Sequence, residues 1–496
     1  MKRILILFII IFCLLSCAKA QITENRILTP AQMKEDFSYL RKVLEDTHPG
    51  LYAYQSKEVM QHKMDSLYAL LNKQLPFYQF YGVIANLIAD IGCEHTSCSP
   101  YPATAFQAKV FQYKLIPFAI QFVKHKAYVV INRTADTSIY LGDEIISINQ
   151  HLVDSLEQVL YKYIPAEAGI ASSREHILST SMAFNLLYYL FIERPESFRI
   201  VFRSADGRLK EREFTDKLTV NENEKMALSN PNNKKILALI ARNEKEAKDN
   251  LNLKTISKQT AILTVRTFSG NKKKMYDDLA KAFTTLNKNN PQNLIIDLSY
   301  NPGGDEAQAA ELLSYIISKP TRFITSEYLI NDQIEYLKMS NLPKEVLTQK
   351  EKFIEPQREG KFMVRAETQG ELEIIQPKPN RFMGKVYICI NSATASAAST
   401  FAAVAKSNRL ATLVGEETGG SFFGGGSSTG LNLILPNTGV TAHTSIVYSV
   451  FATQGNYQNA SGVLPDHQFK PTFDELASGN KSWINFTLNL INNEVK

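Results

Sequence analysis

The sequence predicts a mostly parallel α/β core, preceded by a helical N-terminal region and an α+β segment. Three observations lead there. From Thr260 onward, apolar strand-like runs alternate with helical stretches. Between about Thr29 and Ile91, apolar residues recur at helical spacing. Between Phe106 and about Phe214 the pattern changes to short β-like runs. A chain of 496 residues exceeds what one hydrophobic core serves, and at ~150 residues per unit about two to four units are expected.

In chain order, Thr29-Pro30 predicts an N-cap followed by a first-turn proline, and Met33, Phe37, Leu40 and Leu44 mark one face of the helix. His48-Pro49-Gly50 stops it. A second helix is expected from near Lys57 to Leu71 and a third from Phe77 to Asp90, with Gly92 as its terminator. Strands are expected over 115–123, 127–132 and 198–203, and a helical stretch over 154–195. The polar run 221–250 reads as a linker containing a helix. The core then predicts strands over 261–265, 293–298 and 386–391, with helices over 274–286, 306–317 and 396–406. The expected division is therefore a helical region over 28–100, an α+β segment over 105–215, the linker, and a core over 255–490.

Residues 1–20 stand apart. Lys2 and Arg3 precede an apolar run, Ile4 to Leu15, that is too short for a stable bilayer anchor. This is the pattern of a secretory signal peptide. Ala18-Lys19-Ala20 fits a small-x-small cleavage site, while Leu14-Leu15-Ser16-Cys17 resembles a lipobox that would make Cys17 a lipid anchor. Both lead to export, to the periplasm or to the outer membrane as a lipoprotein. The net charge of +6 is mild, and no arginine-rich stripe suggests a nucleic-acid partner. Beyond the signal lie Cys93, Cys98 and Cys389, an odd count that opposes a full disulfide framework. Cys93 and Cys98 could pair in an oxidising compartment. Their spacing around His95 lacks the paired C-x-x-C of structural zinc sites, so no metal or other cofactor is expected.

Three segments carry chemistry. An apolar strand runs into Asn301-Pro302-Gly303-Gly304, where glycines let backbone N–H groups face a ligand. The same turn could simply need glycine for its geometry. A second strand leads through Asn391-Ser392-Ala393-Thr394-Ala395 to Ser396-Ala397 and a helix. Small neighbours, adjacent N–H groups and the helix dipole there suit a nucleophile and oxyanion hole, although a serine at that place more often only caps the helix. Third, Gly92-Cys93-Glu94-His95-Thr96 follows a helix, and a lone histidine there is more often structural than a base.

Together these segments resemble the tail-specific, or carboxyl-terminal-processing, serine peptidases of the S41 type. The resemblance extends to Gly415-Glu416-Glu417-Thr418-Gly419-Gly420 and Gly462-Val463-Leu464-Pro465-Asp466. The opening run from Asp36 to Tyr52 resembles exported members from Bacteroidetes-like bacteria. Within 105–215, Leu141-Gly142-Asp143-Glu144-Ile145-Ile146-Ser147-Ile148-Asn149 resembles a PDZ strand, a module that holds extended peptides at a sheet edge.

The resemblance implies a ClpP/crotonase-like core and a serine endopeptidase with Ser396 as nucleophile. Gly303 or Gly304 would form the oxyanion hole with Ala397. In one branch a lysine about 25 residues after the serine is the base, and here Ser421 stands at that place. The sequence is closer to the tricorn-like branch, whose histidine matches His95. That branch also places a glutamate near Asn459. Asn459 could still orient an imidazole, and Glu94, Glu416 and Glu417 are the other possible orienting groups. The implied substrate is a polypeptide, taken as an extended or C-terminal segment. A catalytically inactive binder of peptides or apolar ligands on the same scaffold is the rival reading, and a hydrolase of non-peptide esters or amides a third.

Overall fold

The structure, a computed structural model, describes residues 26–100, 114–180, 182–215, 220–246, 248–454, 461–479 and 482–494. The expected signal segment, Cys17 and Asn459 lie outside the described residues.

The N-terminal region is helical: α1 (Pro30–Thr47), α2 (Lys57–Ala69) and α3 (Phe77–Ile91). Thr29 and Gln32 form a capping box ahead of α1, with Pro30 in its first turn. Met33, Phe37, Leu40 and Leu44 bury the expected stripe. Gly92 closes α3 in the left-handed conformation, φ +74°. A short strand, β1 (Ser97–Ser99), follows.

The second unit is an antiparallel sheet of β2 (Phe118–Val123), β3 (Lys126–Asn132), β4 (Glu144–Ile148), β5 (Phe198–Arg203) and β6 (Leu209–Phe214), paired in that order. The helical stretch expected over 154–195 is broken into α4 (Val153–Leu160), α5 (Ala171–Leu178) and α6 (Ala183–Phe191). Pro165 and Gly169 interrupt it, with Ala168 at φ +52°, and this break carries Glu167 into the interior. The linker holds two helices, α7 (Val220–Ser229) and α8 (Lys234–Glu246), parted by Asn230-Pro231. It is anchored to the sheet: the Asn132 N–H donates to Asn233 Oδ1 (2.9 Å) and Asn233 Nδ2 donates to the Asn132 carbonyl (2.7 Å).

The core alternates as predicted: β7 (Leu251–Thr255), β8 (Thr260–Val265), α9 (Lys272–Asn289), β9 (Asn293–Asp297), α10 (Glu306–Ser314), β10 (Ile324–Leu329), β11 (Lys385–Ile390), α11 (Ala397–Ser407) and β12 (Thr412–Gly415). Then come β13 (Gly424–Gly426), β14 (Gly430–Ile434), β15 (Thr441–Ser445), β16 (Tyr448–Phe451), β17 (His467–Gln468) and α12 (Ser482–Glu494). The central sheet runs β7-β8-β9-β11-β12-β17 and is parallel except at β7–β8. Its inner strands, β8, β9, β11 and β12, are buried on both faces because helices cover both. Leu263, Leu294, Ile296 and Ile388 face α9, α10 and α11, while Ile262, Ile295, Tyr387 and Cys389 face Trp483, Ile484 and Ile491 of α12.

Two antiparallel additions were not anticipated. β10 and β13 both pair with β16. β14 pairs with β15, and β15 pairs in turn with β1, so a strand from the N-terminal region completes a sheet of the core, with Cys98 opposite Ala442. Buried Asp36 of α1 strengthens this junction: it accepts the N–H groups of Asn437 and Thr438, each at 2.9 Å. Cys93, Cys98 and Cys389 are free thiols.

Candidate active site

β9 and β11 are parallel neighbours, with Asp297 opposite Cys389, so the loops leaving them emerge at the same edge of the sheet. Side chains and backbone join the two loops. The Tyr300 N–H donates to Asn391 Oδ1 (3.0 Å) and the Ala395 N–H to the Asn301 carbonyl (3.1 Å). Asn301, fully buried, fixes the turn by donating from Nδ2 to the Val265 carbonyl (3.0 Å) and accepting the Gly303 N–H at Oδ1 (2.9 Å).

Only glycine fits at 303. Its φ is +95°, and a Cβ there would lie 2.6 Å from Ser396 Cβ and 2.9 Å from the Ala397 nitrogen. Gly303 has its N–H committed to Asn301, whereas the N–H groups of Gly304 and Ala397 find no acceptor among the described residues. Those two are the free donors beside Ser396.

Ser396 itself sits at the strand-to-helix elbow with φ +49° and ψ −131°, a conformation that costs a non-glycine residue about 1–3 kcal/mol. It is the N-cap of α11, yet its side chain makes no cap hydrogen bond. A serine kept only for capping would accept an N–H of the first turn. Here the hydroxyl is left for something else.

The loop 93–96 is held from several sides. The Ala168 N–H donates to the Gly92 carbonyl (2.8 Å) and the Thr96 N–H to that of Cys93 (3.1 Å). His48, from the stop signal after α1, is buried beneath it. His48 Nδ1 accepts the Gly50 N–H (3.1 Å), so its Nε2 carries the proton and donates to Thr96 Oγ1 (2.9 Å). Burial lowers the His48 pKa to about 4, so it stays neutral and structural.

His95 and Ser396 line one cavity of about 60 Å³. Burial lowers the His95 pKa, opposed by the Glu167 charge and a backbone hydrogen bond to Gly426. Its Nδ1 is buried without a partner among the described residues and lies 3.9 Å from Glu94 Oε1. The same Glu94 oxygen accepts the Ser396 N–H at 3.1 Å. One carboxylate thus stands between the serine and the imidazole.

Four glutamates line this cavity: Glu94, Glu167, Glu306 and Glu327. Glu167 accepts the Glu94 N–H (3.0 Å) and the Tyr54 hydroxyl. Burial raises the pKa values of Glu94 and Glu167, and their mutual repulsion raises that of Glu167 further. Burial pushes Glu327 up to about 7 although the Ser449 hydroxyl donates to it at 2.5 Å. Glu306 is pushed up strongly, first by burial and then by the neighbouring charge of Glu327. No lysine or arginine among the described residues lines the cavity. Ser421, where one branch of the resembled peptidases has its lysine, lines it instead and donates its hydroxyl to the Gly424 carbonyl.

Of the residues named from sequence, Ser396, His95 and Gly304 line the cavity, with Gly303 and Ala397 packed against Ser396. Glu416 and Glu417 do not line it. Glu416 faces a separate recess with Tyr300, Lys470 and Trp483, and Glu417 accepts the Gly462 N–H (2.8 Å). Sequence reasoning missed Glu167, Glu306 and Glu327. Glu306 carried the one usable signal, its place just after Gly303-Gly304-Asp305. The other two are brought in by elements far along the chain.

Residues 259–469 match the model of peptidase family S41, a family of serine peptidases. Among solved structures it is similar to mature CPAF complexed with lactacystin, with a TM-score of 0.61 at 17% identity over 94% of this chain and 99% of that one. A second structure of mature CPAF gives a TM-score of 0.58 at 17% identity, over 91% and 95% of the two chains. A putative peptidase from Parabacteroides merdae is more distant, with a TM-score of 0.42 at 13% identity, over 93% and 96%. No curated protein matches the chain.

Proposed function

We propose that this protein is an exported serine-type endopeptidase that cleaves polypeptides through an acyl-enzyme on Ser396. The observation that carries the reading is the Ser396 hydroxyl, unused as a cap at a left-handed elbow, lining one cavity with His95 and flanked by the unpartnered N–H groups of Gly304 and Ala397. Ser396 Oγ attacks the scissile carbonyl carbon while His95 takes its proton as general base. The oxyanion that forms is held by the Gly304 and Ala397 N–H groups, each contributing about 3 kcal/mol to the transition state. The C–N bond then breaks, and His95 returns the proton to the leaving amine. Water attacks the ester carbonyl and gives a proton to His95, which passes it to Ser396 Oγ as the ester C–O bond breaks and the acid leaves. No metal or cofactor enters any step.

Glu94, 3.9 Å from His95 Nδ1, is the described carboxylate best placed to orient the ring, with Asn459 as the other candidate. The antiparallel sheet β2–β6, in the place where the sequence resembles PDZ, would guide an extended or C-terminal segment toward the serine. Export rests on the N-terminal segment, with a lipid anchor at Cys17 as one of its two forms. No described helix is long and apolar enough to cross a membrane.

The test is Ser396→Ala. Peptide hydrolysis is expected to disappear while the folded state and its thermal midpoint persist. Full activity in that variant would overturn the reading. A wild-type protein that binds peptides without cleaving them would favour the inactive-binder alternative.

A further inference from the structure

We infer that the cavity beside Ser396 receives a long cationic side chain, lysine or arginine, on the residue whose carbonyl Ser396 attacks. The inference rests on the reading of Ser396 as nucleophile and adds to it the class of bond that is cut.

Position comes first. α10 begins directly after the Gly303-Gly304 turn, and α11 directly after Ser396, so the cleft between these two helix starts opens on the nucleophile. Thr400, one turn into α11, spans that cleft: its hydroxyl lies 3.3 Å from the Ser396 carbonyl and 3.2 Å from Glu306 Oε1. Glu327 enters from β10, and its charge acts on Glu306.

Chemistry comes second. Among the described residues the lining is glutamate, serine, glycine and His95, and Phe451 is the one large apolar side chain. An apolar substrate side chain would strand these polar groups without replacing their hydrogen bonds. Glu306 is the decisive case. Its Oε1 has Thr400, but its Oε2 is buried with no partner among the described residues, although part of the residue reaches the surface. Two carboxyls that repel each other, one with an unfilled acceptor and neither facing a lysine or arginine among the described residues of the cavity, form the complement of an ammonium or guanidinium group. The aliphatic stem of such a side chain would lie against Phe451. The raised pKa values of both glutamates agree with a site that lacks its cation.

The test is a series of internally quenched peptides identical except at the residue that supplies the scissile carbonyl: lysine, arginine, norleucine or glutamate. Norleucine keeps most of the lysine stem and removes the charge. The lysine and arginine peptides are expected to show kcat/KM at least about tenfold above norleucine, with glutamate lowest. Glu306→Gln is expected to shrink the lysine-to-norleucine ratio to about twofold or less, since a neutral amide no longer answers the cation. Binding of the same peptides to Ser396→Ala, read by fluorescence anisotropy, separates the two readings. If no peptide is cleaved by the wild type, the nucleophile reading fails, while preferential binding of lysine over norleucine still upholds the pocket. Equal or better cleavage and binding of norleucine, or an undiminished lysine preference in Glu306→Gln, would overturn the pocket.

Discussion

At the residue scale, the cavity holds groups that oppose folding. Glu327 is 8% exposed, and its pKa is raised from the ordinary 4.5 to about 7. A carboxyl raised in this way favours the folded state most below about pH 4.5, and that contribution is lost as pH rises through about 7. The shift corresponds to about 3 kcal/mol once pH passes 8. Glu327→Gln, which can still accept from Ser449, should therefore raise stability to denaturant by up to about 3 kcal/mol at pH 8.5 and leave it unchanged at pH 4. Equal effects at both pH values would mean that Glu327 is not held against its ionisation. His95 has the opposite sign. Burial lowers its pKa, so the imidazole stays neutral and able to accept a proton into mildly acidic solution. The acidic limb of kcat/KM should lie below the ordinary histidine value of 6.5, and a limb at or above 7 would exclude His95 as described. The sequence was legible where chemistry is local: Ser396 and Gly303-Gly304 are each marked by their immediate neighbours. Glu167 and Glu327 were not legible, because their burial arises from chain segments that meet only in the fold. Glu306 at a helix start reads as an ordinary solvated acid until its carboxyl is seen to be enclosed.

At the element scale, the site is two strand-to-helix turns held against each other by side-chain and backbone hydrogen bonds, with Gly303 in close contact with the turn of Ser396. A Cβ on residue 303 would collide with Ser396 Cβ at 2.6 Å and would need φ +95°. The Gly303→Ala variant should therefore push Ser396 and the Ala397 N–H out of register, lowering kcat by at least about a hundredfold. A variant retaining near-normal kcat would show that the approach of the two turns is not what aligns the donors. The alternation of strands and helices from Thr260 onward made this part of the fold readable from sequence, with boundaries shifted by a few residues. The additions formed by β10 and by β13, β14, β15 and β16 were not readable. Several of their strands span only 3 to 5 residues, such as Gly424–Gly426, and their pairing is fixed by partners elsewhere in the chain. The break at Pro165 was marked by that proline and by Gly169, breakers that the expectation of one helical stretch over 154–195 left out of account.

At the scale of the whole molecule, the protein joins two halves of one site across some three hundred residues of sequence. α3, the β1–β15 pairing and the buried His48–Thr96 hydrogen bond fix the loop that carries Glu94 and His95. The parallel sheet fixes the turn that carries Ser396. The central claim is that this arrangement makes the serine reactive through the histidine. A fluorophosphonate probe with its adduct located by mass spectrometry, timed in the wild type and in His95→Gln, tests that claim most directly. The account predicts modification at Ser396 in the wild type and a rate at least about a hundredfold lower in the variant. Absence of an adduct at Ser396, or a rate indifferent to residue 95, would contradict it.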